Sequence, residues 1–372
     1  MKFNIFQSHL IESLNNVASV IPSRSTATVL ENILFELNDN NLKITGTDLE
    51  VYITTEVVPD KIEKQGSVAI PAKVLLEMIR SLPDIPIQFE IGDSNRVNIT
   101  TDRGYYQITG ISKENFPELP VFTEEKTIEL KNIVLKRMFE KTIFAVSSEE
   151  LRPALMGVYM QVMADELRMV ATDGHRLSKI VDRSFSFDDA PKKMIIPPKA
   201  VQIAIKNLDE KGSTKITIDE HVICFNFDST KLYTRLVEGE YPDYEKVIPR
   251  DNDKTLKVNK DLLMDSVKRV SLFSSSLTNQ VRFSLSSDKL VIFSENTDTG
   301  GQAREELEAE YSDEEMEIGY NAQYIMDILR HIDSDDVTFN LKSPVRAAIV
   351  TPTTQLENEE FFMLIMPIKI SS

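Results

Sequence analysis

Cysteine is nearly absent: Cys224 is the single one in 372 residues. That excludes an internal disulfide and fits a reducing cytosol. Long apolar runs are also missing. No stretch approaches the ~18 residues a membrane-spanning helix needs. The N-terminal MKFNIFQSHLIESLNN is interrupted by polar residues and has no signal-peptide core. A cytoplasmic protein without membrane contact is expected. Histidine is scarce too: His9, His175, His221 and His331 stand alone, none within a helical turn of another. HExxH, CxxC and EF-hand spacings are absent, so no metal or other cofactor is expected. GxSxG, GxGxxG and the phosphate loop are likewise missing. Positive charge is in deficit, with 42 Lys and Arg against 59 Asp and Glu, a net −17. Taken alone, that argues against nucleic-acid binding, which favours basic surfaces.

What remains is ordinary for a globular chain: 41% hydrophobic and 27% charged residues. At about 150 residues per domain, the length allows two or three domains. An internal repeat decides between them. A short strand running into an amphipathic helix occurs as SVAIPAKVLLEMIRSL (67–82), KMIIPPKAVQIAIKNL (193–208) and EIGYNAQYIMDILRHI (317–332), at offsets of 126 and 124. The apolar positions are Leu75, Met78, Ile79, Leu82; Val201, Ala204, Ile205, Leu208; and Ile325, Ile328, Leu329, Ile332. Each set is one helix face. Pro71 and Pro197 mark the strand-to-helix junctions, where a missing N–H costs nothing, and Asn321 is expected to cap the third helix.

Alternating strands beginning at Leu42, Leu167 and Leu290 keep the period. So do upstream helices with apolar stripes Leu10, Leu14, Val17, Ala18, Ile21 and Leu135, Met138, Phe139, Thr142, Val146. The joints FPELPVFTEE (116–125) and YPDYEKVIPRDND (241–253) suit linkers. Three α+β modules of about 124 residues follow, each with two helices on one face of antiparallel sheet. Their expected bounds are 1–121, 122–248 and 249–372.

Catalytic constellations are weak. ATDGHRLS (171–178) gathers Asp173, His175, Arg176 and Ser178, but neighbours along one turn do not align as nucleophile, base and orienter. Asp173-Gly174 reads more simply as a tight turn. Cys224, in the alternating VICFNF, reads as a small buried apolar residue, and DEKGST (209–214) as a turn. Asn98-Ile99-Thr100 matches a glycosylation sequon by chance. A scaffold is favoured over an enzyme. Charge is unevenly placed: the helical windows 9–21, 72–82, 131–146, 198–211, 259–273 and 321–332 sum to +5, leaving −22 elsewhere. Eight of the acids lie in EELEAEYSDEEME (305–317).

Three such repeats, ATDGHRLS in the second, GEYPDY (239–244) closing it, and a terminal FFMLIMPIKI together resemble the bacterial DNA polymerase III β subunits, the sliding clamps. The resemblance spans the chain. It implies the α+β DNA-clamp fold, with two chains joined head to tail as a homodimer ring of six modules. Helices would line a hole that holds duplex DNA without reading its sequence. The implied role is a processivity factor for DNA replication, not an enzyme. It would tether the DNA polymerase III alpha subunit, the clamp loader delta subunit and other clamp-motif proteins through a peptide pocket. The alternative is a peptide-binding scaffold of this fold that never encircles DNA.

The pocket positions implied are Leu155, Thr172, Gly174, His175, Arg176, Leu177, Pro242, Val247, Val345, Arg346, Met366, Pro367 and Ile368. The DNA-facing positions are Arg24, Lys73 and Lys199. The dimer contact implied sets Met78, Tyr106 and Ile108 against Leu272 and Phe273, with Glu305–Glu310 available to basic residues across the interface. Two departures stand out: Arg346 at the pocket edge, and the ending Lys369-Ile370-Ser371-Ser372.

Overall fold

The computed structural model describes residues 1–122, 126–296 and 300–370. Ser371, Ser372 and linker positions 123–125 lie outside the described residues. The chain forms two compact units, Met1–Lys136 with Lys199–Leu236, and Arg137–Pro198 with Val237–Ser372. The second repeat therefore contributes to both.

All strand pairing is antiparallel, and each repeat builds two sheets. The first sheet of each comprises Asn32–Leu37, Leu42–Thr47, Val51–Val57, Gly66–Pro71; then Val158–Val162, Leu167–Thr172, Arg176–Asp182, Lys192–Ile196; then Gln280–Ser286, Lys289–Asn296, Gly301–Glu308, Met316–Asn321. The second comprises Lys2–Phe6, Pro86–Ile91, Arg96–Thr100, Tyr105–Thr109; then Lys126–Lys131, Ser213–Ile218, Val222–Phe227, Thr230–Arg235; then Lys254–Asn259, Asp336–Leu341, Ala348–Pro352, Glu359–Ile365. Strand order is the same in all three repeats. The first repeat adds Lys61–Lys64 at one edge of its second sheet.

Sheets of different repeats fuse edge to edge. In one unit Val51–Val57 pairs with Thr230–Arg235, with Ile53 opposite Leu232. In the other Arg176–Asp182 pairs with Glu359–Ile365, with Ser178 opposite Met363. Two eight-stranded sheets result. The equivalent edges Tyr105–Thr109 and Gly301–Glu308 have no such partner among the described residues.

Among the described residues six helices pack on the sheets: α1 Gln7–Ala18, α2 Ala72–Ser81, α3 Asn132–Ile143, α4 Pro198–Asn207, α5 Lys260–Ser271 and α6 Ala322–Arg330. In α6 the expected stripe Ile325, Ile328, Leu329, Ile332 is buried throughout. Its cap is as read from the sequence: the Asn321 Oδ1 accepts from Gln323 N at 2.9 Å. The α2 stripe sits one turn earlier than expected, on Ala72, Leu75, Leu76 and Ile79, leaving Met78 and Leu82 half-buried. Side chains lean toward a helix's N-terminus, and α2 begins directly at the sheet, so its first turn meets the core. In α4, Ile203 replaces Ile205 on the buried face for the same reason. Ala18, Ile21 and Val146 are half-buried beyond or near helix ends.

Candidate functional site

The ATDGHRLS segment makes a hairpin turn between Leu167–Thr172 and Arg176–Asp182. Gly174 occupies the left-handed region at φ 89°, which glycine tolerates and a β-carbon does not. The Asp173 Oδ1 accepts from His175 N and Arg176 N, both at 2.9 Å, and Thr172 Oγ1 donates to Arg176 O at 2.6 Å. Asp173 thus orients a turn, not an imidazole. Ser178 is fully buried and donates to Lys141 O. These groups form no nucleophile–base line.

The turn aims Arg176 inward, where it is 9% exposed. Its Nη1 donates to Asp327 Oδ2 at 2.6 Å, its Nε to Asp173 Oδ2 at 3.0 Å, and its Nη2 to Phe144 O at 2.9 Å. The guanidinium also lies 4.6 Å from the Tyr324 ring centroid. Its charge is consumed internally.

Beside it opens a cavity of about 710 Å³. Of the expected positions, Leu155, Thr172, Gly174, Arg176, Leu177, Pro242, Val247, Val345, Arg346 and Met366 line it. The repeat fusion explains why they meet: Leu177 sits opposite Leu364 across the joined strands, and Leu364 lines the same cavity. Tyr244 is the aromatic residue of the lining, and it packs with Tyr159 and Tyr241 in the adjoining buried cluster. Tyr159 and Tyr241 stack with centroids 4.4 Å apart, and Tyr244 donates to Gln161 Oε1 at 2.7 Å. Burial pushes the Tyr244 hydroxyl up to about 12. Lys179 Nζ holds Glu245 at 2.9 Å, fixing the Tyr244–Val247 turn that carries one wall.

Three expected pocket residues lie outside this lining. His175 is exposed, its ring 6.2 Å from Tyr324, and its carbonyl accepts from Met366 N at 2.8 Å. Pro367 and Ile368 belong to a strap. The Ile368 N donates to Gly319 O at 2.7 Å, as Val237 N does to Ile195 O at 2.9 Å and Ile111 N to Ala69 O at 2.8 Å in the other repeats. Ile368 thus covers a sheet edge, a repeat-wide role that its letter does not announce. Gly319 permits the close approach: a β-carbon there would stand 2.6 Å from the Ile368 oxygen. Arg152, Ala154, Asp243, Tyr244, Lys246, Pro249 and Ala347 line the cavity without having been expected. GEYPDY carried part of that signal, in Asp243 and Tyr244.

The expected cations divide. Arg24 and Lys73 are exposed. Lys199 is not a free charge, since its Nζ is paired with Asp48 and donates to Val20 O at 3.2 Å. Nor is the +3 of window 131–146 all available: Arg137 is held by Glu359 and by Asp333 at 2.7 Å, and Lys141 by Asp333 at 2.6 Å. At the other expected surface, Tyr106 is 36%, Leu272 79% and Phe273 43% exposed, while Met78 and Ile108 are half-buried. The acidic run is largely paired within its own unit: Glu305 with Arg269 at 2.7 Å, Glu306 with Lys289 at 2.7 Å and Glu310 with Lys257 at 2.8 Å. Among the described residues no helix is long and apolar enough to cross a membrane, and no group of three or more His, Cys, Asp or Glu could hold a metal.

Residues 1–120, 129–243 and 245–369 match the N-terminal, central and C-terminal domains of the DNA polymerase III beta subunit. The chain belongs to that family. A beta sliding clamp of Chlamydia muridarum is 32% identical over all of this chain and 99% of that relative, and one from Vibrio cholerae is 28% identical over the full length of both. A crystal structure of the Pseudomonas aeruginosa sliding clamp bound to griselimycin superposes with a TM-score of 0.94 at 28% identity, covering both chains entirely. The Bartonella birtlesii clamp bound to the same ligand gives 0.92 at 32%, again over both whole chains. Membership makes this chain a sliding clamp, a processivity factor of DNA replication with the α+β clamp fold.

Proposed function

We propose that two copies of the chain close head to tail around duplex DNA, each built of domains 1–121, 122–248 and 249–372. The protein has no catalytic activity of its own, acts in the cytoplasm, and tethers the replicative polymerase's alpha subunit, the clamp loader's delta subunit and other motif-bearing proteins. One observation carries this reading. Every first sheet meets a second sheet at equivalent edges, except Gly301–Glu308 and Tyr105–Thr109. A second copy supplies the missing partner for each, giving a closed assembly whose two interfaces are alike. Burying both also removes unpaired strand edges that invite aggregation.

The repeat supports one register for this contact. Ile53 and Ser178 occupy the place of Ala303, and Leu232 and Met363 that of Tyr106, as the ladders within each repeat require. Tyr106 then faces Ala303 of the second copy, and Ile108 faces Gly301. In the Ile53–Leu232 joint, Glu56 N bonds Ser229 O and Arg235 N bonds Glu50 O. Counting inward, Ile53–Leu232 is a non-hydrogen-bonded pair, the kind with the closer Cα atoms at about 4.5 Å. A Tyr106→Cys, Ala303→Cys chain is therefore expected to oxidise to a covalent dimer, since disulfides accept Cα separations of about 4.4–6.8 Å. Gln107→Cys with Ala303→Cys points to opposite faces and stays uncrosslinked. Efficient crosslinking by the second pair in place of the first would refute the register, and crosslinking by neither would refute the interface.

Within the hole, DNA is held by weak, sequence-independent phosphate attraction, with Arg24 and Lys73 as contributors. Lys199 contributes less because Asp48 neutralises it. Enclosure, not affinity, provides retention. The 710 Å³ cavity receives short linear peptides: aliphatic and methionine walls at Leu155, Leu177, Val247, Val345 and Met366 accept apolar anchors, and a few polar groups orient them. His175, Pro367 and Ile368 support the cavity through Met366 and the strap instead of lining it.

A further inference from the structure

The cavity is apolar inside, yet its rim is charged, and the sign is opposite to that of the protein. The chain carries −17, but the lining includes Arg152, Lys246 and Arg346 against the single carboxylate Asp243. Arg176 also lines it, with its charge already spent on Asp173 and Asp327. Lys246 and Asp243 neutralise one another at 3.0 Å. Arg152 and Arg346 are left, on two different segments. Their acid partners, Glu149 at 3.5 Å and Asp251 at 3.3 Å, stand outside the lining. Both pairs are loose and solvent-exposed: the arginine side chains are 58% and 55% accessible. Exposed pairs of this kind contribute little and exchange readily. A carboxylate arriving on a ligand can replace Glu149 or Asp251 at small cost and can take a bidentate geometry on the guanidinium fork.

We propose that Arg346, together with Arg152, makes this cavity selective for linear peptides whose apolar anchors are flanked by Asp or Glu. The inference rests on the reading of the cavity as a peptide site and names the chemistry of its occupant. Charge complementarity supplies the argument. Neutral apolar peptides satisfy the interior alone, and basic flanks meet two arginines at close range. The acidic body beyond the rim opposes this preference weakly, because its charges are screened over about 10 Å at 0.1 M salt.

Fluorescence anisotropy of the full chain with three labelled decapeptides tests it. All share two aliphatic anchors and one aromatic anchor, with flanks of Asp, Ala or Lys. At about 50 mM salt the Asp-flanked peptide is expected to bind roughly tenfold more tightly than the Lys-flanked one, with Ala between them, from two exposed pairs. The ratio shrinks toward one at about 500 mM salt. Arg346→Glu reverses the order of the Asp- and Lys-flanked peptides, a change that a purely structural role for Arg346 would not produce. Equal affinities for all three, with binding intact, overturn the charge selectivity and leave the peptide site standing. No binding by any of them overturns the peptide site itself.

Discussion

Leu272→Ala combined with Phe273→Ala is expected to convert the dimer into monomer at micromolar concentration. Both side chains follow α5, which packs on the sheet containing the Gly301–Glu308 edge, and both are exposed in the single chain, at 79% and 43%. Neither belongs to the buried core of the chain. Fully burying an exposed large apolar side chain contributes about 1.5–3 kcal/mol, and since Phe273 is already more than half covered, losing both removes roughly 2–4 kcal/mol at each of two interfaces. Sedimentation velocity is expected to show one species near 42.3 kDa, the chain's own mass, while thermal unfolding of the monomer is unchanged. An unaltered dimer would place the interface elsewhere.

The second large effect comes from outside the cavity. Asp327 on α6 does not line it, yet it holds Arg176 at 2.6 Å and Arg330 at 2.6 Å. Asp327→Ala leaves the buried Arg176 with Asp173 as its one carboxylate. Removing one partner of a buried pair costs about 3–5 kcal/mol, and because Asp173 remains, the lower end is expected. Arg176 and Leu177 then shift at the cavity wall, so peptide affinity falls with stability. Asp327→Asn keeps a hydrogen-bond acceptor and is expected to lose less of both. The chain has no tryptophan, so circular dichroism melts paired with peptide anisotropy provide the readout. If Asp327→Ala melted and bound like the parent, Arg176 would owe its position to Asp173, Phe144 and Tyr324.

The same junction responds to acid. Burial holds the His331 imidazole below its ordinary pKa; its Nδ1 lies 2.7 Å from Asp327 O and its ring stacks on Phe144 at 4.0 Å. The neutral ring's contribution is complete above the unfolded value of about 6.5 and is lost as pH falls toward the depressed folded value.

Much of the fold is legible from local pattern. The α6 stripe, the Asn321 cap, the Asp173-Gly174 turn and buried Cys224 each depend on a few neighbouring residues, and each lies where the sequence places it. What escaped depends on partners distant in sequence. No motif in Thr230–Arg235 announces Val51–Val57 as its neighbour, because alternation sets a strand's faces and not which edge it joins. Arg137 and Lys141 counted among the positive charges of window 131–146, but Glu359 and Asp333, about 200 residues away, consume them. Lys199 and Asp48 are the same case. Ile368 resembled a pocket wall in its motif, yet its position is explained by Ile111 and Val237, which perform the same strap contact. The cavity itself was better marked: ten of thirteen expected positions line it, because ATDGHRLS leads into one of the two strands that fuse and FFMLIMPIKI runs along the other.

Net charge was the least informative quantity. The −17 coexists with a locally positive cavity rim and exposed Arg24 and Lys73, and their placement decides what approaches.

Retention on DNA of defined topology tests the central claim most directly. After loading by a clamp loader with ATP onto nicked circular duplex, the protein is expected to co-elute with the DNA through gel filtration at high salt. Cutting the circle once should release it. The disulfide-closed Tyr106→Cys, Ala303→Cys ring, oxidised after loading, should likewise stay on circles and leave linear DNA. Equal retention on circular and linear DNA would show binding by affinity and contradict enclosure.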